Sequence, residues 1–497
     1  MSDFVSLHAQ GRPDSVALVD AGSGQRWTYD ELHRAVGAAV GVIAARGIEA
    51  EDRIAAISRN SPELVILQLA CARSGAILAP LNWRLSDGEL RVLIADCEPS
   101  LLFGDALLDR LDVDIPKLST GRFREELAAA SPVRNGPVDP DGPSLMLYTS
   151  GTSGRSKGVP LTEANLLATA VNFSVVGEVT ADSAFLVDSP MFHIIGMVTN
   201  IRPALMMGGR IVVSDGFDPA RTLQRLGDPE LGITHYFCVP QMADMLRQVP
   251  GFDAARLHGL TALFTGGAPH PAPKIHAWLA DGVTVVDGYG MTEAGTVLGM
   301  PVSPGRIEQK AGSAGLMPPT MERRIVDPNG ADCGPDEVGE LALRGPNIFS
   351  GYWRRPDDTA AAFTDDGFFL TGDLVRQDDD GFYFLVDRKK DMFISGGENV
   401  YPAEIEVALK SHPDVIDAAV VGTPDDRWGE VGHAFVKLRA AASVDGETLV
   451  RYCEQHLARY KLPRRVHILA ELPTTGSGKV IKSELKKRLR EQDGHDA

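Results

Sequence analysis

The chain has 497 residues, too many for one small core, and its 44% hydrophobic and 23% charged content is that of a globular protein. Its 49 Lys and Arg against 67 Asp and Glu give a net charge of −18, which argues against a general nucleic-acid or anionic-membrane binder, because counterion release needs a basic face. Five scattered Cys without a C-x-x-C spacing offer neither a disulfide framework nor a metal-ligand pattern.

The opening Met-Ser-Asp-Phe-Val-Ser carries no basic and apolar signal, so a cytoplasmic, reducing setting is expected. The apolar positions of Glu31–Ala45 recur at helical spacing, and Arg53–Ile57 reads as a short strand. Ser61-Pro62-Glu63 supplies an N-cap and a first-turn Pro, with Gly75 as the stop and Ala76–Leu81 as the next strand. Leu64 to Leu81 is the most apolar stretch, but Arg73 and Ser74-Gly75 interrupt it, so it reads as a buried helix and strand rather than a membrane span. Ser86-Asp87-Gly88-Glu89 has capping-box spacing before another helix. Strands alternating with helices imply parallel sheets covered on both faces.

Ser131 to Pro143 is Pro- and Gly-rich and reads as a surface linker. A helix is expected from about Thr162, then strands at Ala184–Val187, Arg210–Val213, Thr234–Val239, Ala262–Thr265 and Val283–Val286. From about Ala311 to Arg344 Gly/Pro turns separate short strands, which suggests a smaller β-rich subdomain. A strand at Phe382–Val386 leads into the charge run Asp387-Arg388-Lys389-Lys390-Asp391. Beyond it lies an α+β pattern, with helices near Pro402–Ser411 and Thr448–Tyr460 and strands at Val415–Val421 and Ala434–Leu438.

Chemistry gathers first at Tyr148-Thr149-Ser150-Gly151-Thr152-Ser153-Gly154-Arg155-Ser156-Lys157-Gly158. Gly permits close backbone approach, hydroxyls and N–H groups can surround phosphate oxygens, and Lys adds a point charge. A polyphosphate grip is the reading. The nucleoside-triphosphatase P-loop fails, because Ser156 stands where its second Gly belongs, and Gly476-Ser477-Gly478-Lys479 fails with Pro473 and Val480 in the wrong places. Gly288-Tyr289-Gly290-Met291-Thr292-Glu293 misses the dinucleotide fingerprint, and no G-x-S-x-G elbow occurs.

Taken together and in this order, these blocks resemble the adenylate-forming superfamily of acyl-CoA synthetases, standalone adenylation domains and beetle luciferases. The resemblance implies a large N-terminal α/β domain over residues 1–389, made of two parallel-type α/β subdomains and a β-rich one. A small mobile α+β domain would follow over residues 390–497, with the hinge at Lys390. By the same resemblance, Thr149, Ser150, Gly151, Thr152, Ser153 and Lys157 bind phosphate. Gly266-Gly267-Ala268-Pro269 and Asp287-Gly288-Tyr289-Gly290-Met291 form the adenine slot, Thr292 meets the α-phosphate, and Glu293 offers the hard oxygen that Mg²⁺ prefers. Asp373 contacts the ribose, with Arg388 as its basic partner fifteen residues on. His193 lies between acyl pocket and nucleotide, gating or orienting. Lys479 is the adenylation lysine, needed because a carboxylate and ATP repel. Where some relatives carry a functional Lys before the Ser395–Asn399 loop, this chain has Ile394.

The implied activity is a two-step ligase using ATP, Mg²⁺ and coenzyme A. The segments Ile194–Thr199, Tyr236–Gln241, Gly266–Gly267 and Ala294–Leu298, which line the acyl pocket in relatives, hold no Lys or Arg. A hydrophobic monocarboxylate therefore fits better than a dicarboxylate. A medium- or long-chain fatty acid is preferred, with an aryl-propenoic acid as the alternative. A carrier-protein acceptor, a luciferase-like oxygenase and an inactive binding protein are the rival classes.

Overall fold

The computed structural model describes residues 3–133, 138–149, 156–268, 270–395, 398–425, 427–440, 442–474 and 480–493. The chain forms two compact units, Met1–Glu322 with Leu343–Phe369, and Arg323–Ala342 with Leu370–Ala497.

The first unit holds two α/β sheets. In one, the strands run Gly295–Gly299, Val285–Met291, Ala262–Thr265, His235–Cys238, Ala184–Val187, Arg210–Val213, Val16–Asp20 and Arg26–Thr28. Its middle is parallel and both edges are antiparallel. The other runs Lys117–Ser119, Leu101–Gly104, Arg53–Ile57, Ile77–Pro80, Pro143–Thr149 and Lys157–Thr162, parallel except at the last pair.

Local signals set the helices. Thr28 and Glu31 close a capping box on Tyr29–Ala44, and Ser86 and Glu89 close another on Asp87–Cys97. Ser61 caps Pro62–Ser74, which ends at Gly75 with φ 77°, the left-handed stop expected of Gly. No helix among the described residues is long and apolar enough to cross a membrane.

Both sheets are of the expected parallel type, with antiparallel strands added at their edges. Between the phosphate loop, expected to end at Gly158, and the helix expected from about Thr162, Lys157–Thr162 forms the edge strand of a hairpin, where Pro160 is tolerated because an edge leaves one N–H side unused. Likewise the strand expected to stop at Val286 continues through Gly288-Tyr289-Gly290-Met291 and turns back on Gly295–Gly299.

The second unit carries a four-stranded sheet in the order Glu322–Val326, Gly339–Arg344, Phe369–Gln377 and Tyr383–Arg388. A five-stranded sheet joins Glu398–Val400, Phe393–Ser395, Gly429–Leu438 and Val415–Asp425, with Arg465–Ile468 paired to Gly429–Leu438. A β-rich piece is thus followed by an α+β piece, and the β-rich one, expected as part of the N-terminal domain over residues 1–389, is grouped here with the C-terminal piece.

A buried ion pair ties the first unit together. Arg202 makes two 2.8 Å hydrogen bonds to Glu163, and both side chains are at most 5% exposed. Glu163 opens the helix that follows the hairpin, and Arg202 opens a short helix just past His193. Breaking a buried pair on one side strands the other charge. Arg202→Met is expected to cost about 3–5 kcal/mol, and adding Glu163→Leu to recover much of it, read from urea-unfolding midpoints of the first unit.

Candidate active site

Thr149 and Lys157 are cross-strand partners at the mouth of the hairpin whose connection is the Gly/Ser/Thr loop. Ser150, Gly151, Thr152 and Ser153 lie outside the described residues, as do Pro269 and Lys479. Lys157 Nζ donates to Asp358 Oδ1 at 2.6 Å and sits 4.6 Å from the centroid of the Tyr352 ring. Asp358 is 42% exposed, so this pair is a weak one that another anion can displace.

The Gly-Tyr-Gly-Met-Thr-Glu stretch is a strand entering a tight hairpin. Gly290 faces Gly295 so closely that a Cβ on it would lie 2.3 Å from Gly295 O, and no other residue fits. Gly295, at φ 60°, packs against Thr169 of the helix Glu163–Val176. Thr292, Glu293 and Ala294 form the turn. Asn347 Nδ2 donates to Ala294 O at 2.5 Å, Phe349 N donates to Glu293 O at 2.9 Å, and Tyr352 Oη donates to Glu293 Oε1 at 3.1 Å. Glu293 is buried. A single buried carboxylate suits a hard cation that arrives largely coordinated by substrate oxygens, and the described residues hold no cluster of three or more His, Cys, Asp or Glu that could cage one.

Ala262–Thr265 ends at buried Gly266, whose Cβ would touch Phe237 Cζ at 3.0 Å and Gly288 O at 3.1 Å. Gly267 then turns at φ 81°, with Val239 and Ile195 beside it, and the half-buried Ala268 follows. Tyr289 is buried and Met291 half-buried. The Asp287 carboxylate is buried and points away from solvent, accepting from Thr265 Oγ1 at 2.9 Å; Thr265 in turn meets His270 Nδ1 at 3.0 Å. Thr265 carried no signal in the sequence, because its contact with Asp287 exists only across neighbouring strands.

His193 sits half-buried in a turn before the π-helix Ile195–Thr199. Two features hold that turn. Asn60 receives Met191 N at 2.9 Å and donates to Ser189 O at 2.9 Å. Gly196 packs on Pro190, where a Cβ would lie 2.2 Å from the carbonyl oxygen. A π-turn inserts one residue and commonly marks a functional segment. Phe237 stacks on Phe173 at 5.9 Å, and Phe264 tilts against Phe173 at 5.1 Å, so an aromatic cluster borders Gly266.

In the second unit, Asp373 and Arg388 are register partners on adjacent antiparallel strands, and Arg388 Nε meets Asp373 Oδ1 at 3.0 Å. Asp373 is 9% exposed and Arg388 46%. Gly372, at φ 72°, turns the chain so that its N–H reaches Glu340 Oε1 at 3.0 Å; Lys389 Nζ takes the other Glu340 oxygen at 2.8 Å. Glu340 was not foreseen. Lys390 is exposed at the end of that strand. Asp387 accepts Ala403 N at 2.7 Å at the start of the helix Pro402–Lys410, and burial raises its carboxyl to about 6.

Burial likewise raises Asp287 from 3.8 to about 7, only partly opposed by the Thr265 hydrogen bond. The folded state therefore holds the proton more tightly than the unfolded one, and this contribution to stability fades as pH rises from 3.8 towards about 7. Asp287→Asn removes it. The wild-type minus mutant difference in urea midpoint is expected to slope over that window and be flat above it.

The AMP-binding enzyme family model matches residues 5–353, and the AMP-binding enzyme C-terminal domain model matches residues 404–479. A feruloyl-CoA synthase from Amycolatopsis sp is 38% identical over 471 residues, 94% of each chain. An indoleacetate–CoA ligase from Aromatoleum aromaticum is 37% identical, covering 98% of this chain and 97% of that one. Among solved structures, O-succinylbenzoate coenzyme A synthetase from Bacillus subtilis, in complex with ATP and magnesium ion, superposes with a TM-score of 0.87 at 29% identity, covering 98% of this chain and 99% of that one. With both family models matched in order along the chain, this protein belongs to the AMP-binding enzymes, the adenylate-forming superfamily that contains the acyl-CoA ligases.

Proposed function

We propose that the protein joins an aryl-bearing monocarboxylic acid to coenzyme A, at the expense of ATP. In the first step a carboxylate oxygen attacks the α-phosphorus, the bond to the β-phosphate breaks, and pyrophosphate leaves with its electron pair. In the second, the CoA sulfur, after losing its proton, attacks the acyl carbonyl carbon and AMP departs with the phosphate oxygen. The observation that carries the reading is the pairing of Lys157 and Glu293 on one aromatic ring: a cation for phosphate beside a carboxylate for a divalent ion. Mg²⁺, when bound, orients the phosphates and offsets their charge.

In this reading Lys157 and Thr149 hold the triphosphate, and Gly266, Gly267, Ala268, Gly288, Tyr289, Gly290 and Met291 flank the base. Asp287 positions that wall through Thr265. Thr292 meets the α-phosphate, and Glu293 holds the metal. Asp373, oriented by Arg388, takes the ribose hydroxyls. Lys479 lowers the repulsion between attacking carboxylate and ATP. Residues 390–497 then turn about Lys390 so that the space near Lys479 becomes available to pantetheine.

The aryl acid, the alternative in the sequence reading, is put here ahead of the fatty acid that the sequence alone favoured. Two of the relatives are named as a feruloyl-CoA synthase and an indoleacetate–CoA ligase, and the cluster of Phe173, Phe237 and Phe264 beside Gly266 offers flat apolar faces.

Pyrophosphate release and AMP formation across ferulate, indole-3-acetate and C8–C16 fatty acids, with and without CoA, test this. CoA-dependent turnover of an aryl acid is expected, falling about 10²–10³-fold in Lys479→Ala. Preference for the alkyl acids would overturn the aryl assignment, and pyrophosphate release indifferent to CoA would point to a carrier-protein acceptor. Asp358→Asn removes an anion that competes with phosphate for Lys157. The KM for MgATP should drop about 2–5-fold at low ionic strength, and less in high salt.

A further inference from the structure

The stretch Phe349–Trp353 belongs to none of the motifs read from the sequence, yet it touches both sides of the phosphate grip. At one end Phe349 N donates to Glu293 O at 2.9 Å; at the other Trp353 N donates to Gly158 O at 2.8 Å. Between them lies Tyr352. Its ring faces Lys157 Nζ at 4.6 Å from the centroid, and its hydroxyl donates to Glu293 Oε1 at 3.1 Å.

The ring has little freedom. Tyr352 N donates to Thr359 Oγ1 at 2.9 Å, and Gly351 packs so tightly there that a Cβ would lie 2.6 Å from Thr359 Cγ2. Phe349 meets the ring edge-on at 4.8 Å. Burial and the nearby Glu293 charge keep the phenol protonated, so it remains a donor.

Opposite charges that meet the same side chain in a half-buried site are drawn to pair directly, and a direct pair would quench both. An aromatic face attracts the ammonium while the hydroxyl satisfies the carboxylate, which removes the incentive to collapse. We propose that Tyr352 is a positioning residue for adenylation: a wedge that holds the Lys157 ammonium and the Glu293 carboxylate apart, each oriented for its own part of Mg·ATP.

This role rests on the ligase reading above, so its test separates the two. ATP binding is measured at equilibrium by tryptophan fluorescence, Trp353 being adjacent, across a Mg²⁺ titration with no carboxylate or CoA present. Tyr352→Phe keeps the ring and loses the hydroxyl. It should raise the Mg²⁺ concentration for half-maximal ATP binding about 3–10-fold while leaving Mg²⁺-free binding unchanged. Tyr352→Leu loses both and should also weaken Mg²⁺-free binding several-fold. Turnover of Tyr352→Phe should approach wild type at saturating Mg²⁺. If both variants shift the two affinities alike, or neither, the wedge is overturned while the ligase reading stands. Wild-type protein that binds no ATP in either condition overturns both.

Discussion

A polyphosphate site in a chain of net charge −18 needs local positive charge that its own carboxylates do not quench. In the proposed reading Lys157 supplies it among the described residues, with Asp358 and the Tyr352 ring against its ammonium and Glu293 on the Tyr352 hydroxyl. Asp358, half-buried, bonds Lys157 at 2.6 Å, Tyr352 offers a face, and Glu293 accepts from the hydroxyl of that ring. The backbone ties from Phe349 to Glu293 and from Trp353 to Gly158 make the arrangement a property of the fold rather than of side-chain choice. Much of the surrounding glycine usage follows from the same need, since Gly290 and Gly295 bring the Glu293 turn hard against the helix that follows Lys157.

Elements whose signals are local were legible in the sequence. Helix starts at Ser61, Ser86 and Thr162 need only a side chain three residues from its target, and the strands Arg53–Ile57, Ala184–Val187 and Ala262–Thr265 are short apolar runs. The strand Lys157–Thr162 was not, because Gly158 and Pro160 mask its pattern and its pairing with Pro143–Thr149 is fixed across the intervening loop. Site residues divide the same way. Thr149, Lys157, Glu293, Asp373 and Arg388 stand in recognisable strings. Tyr352, Asp358, Glu340 and the Thr265–Asp287 contact act through partners that the sequence does not place nearby, and Asn60 reaches Met191 over 131 positions. Only tertiary pairing reveals them.

The acyl side shows how aliphatic and aromatic choices diverge on one scaffold. Absence of Lys and Arg from the expected lining excludes little beyond a second carboxylate. What discriminates a planar acid from a flexible chain is the shape and face of the wall, and there the half-buried Phe237, stacked on Phe173 and pressed on Gly266, is the feature with consequences. Any side chain at 266 would have to displace either that ring or the carbonyl of Gly288, so in the proposed reading the acyl wall and the base-side wall meet at a single glycine.

The proposed rotation about Lys390 has a structural cost that can be located. Asp387 lies before that residue and Ala403 after it, and the 2.7 Å bond between them starts the helix Pro402–Lys410. Lys482 is drawn to the same place: it pairs with Glu406 at 2.8 Å, and the charges of Glu406 and Asp387 raise its ammonium against the opposing effect of burial. A turn at Lys390 that carried Ala403 away from Asp387 would expose an unmet helix N–H and a carboxylate that burial now holds near 6. Both losses are offset by hydration once the groups reach solvent. The latch is therefore a shallow one, and a shallow latch suits the repeated rotation proposed above.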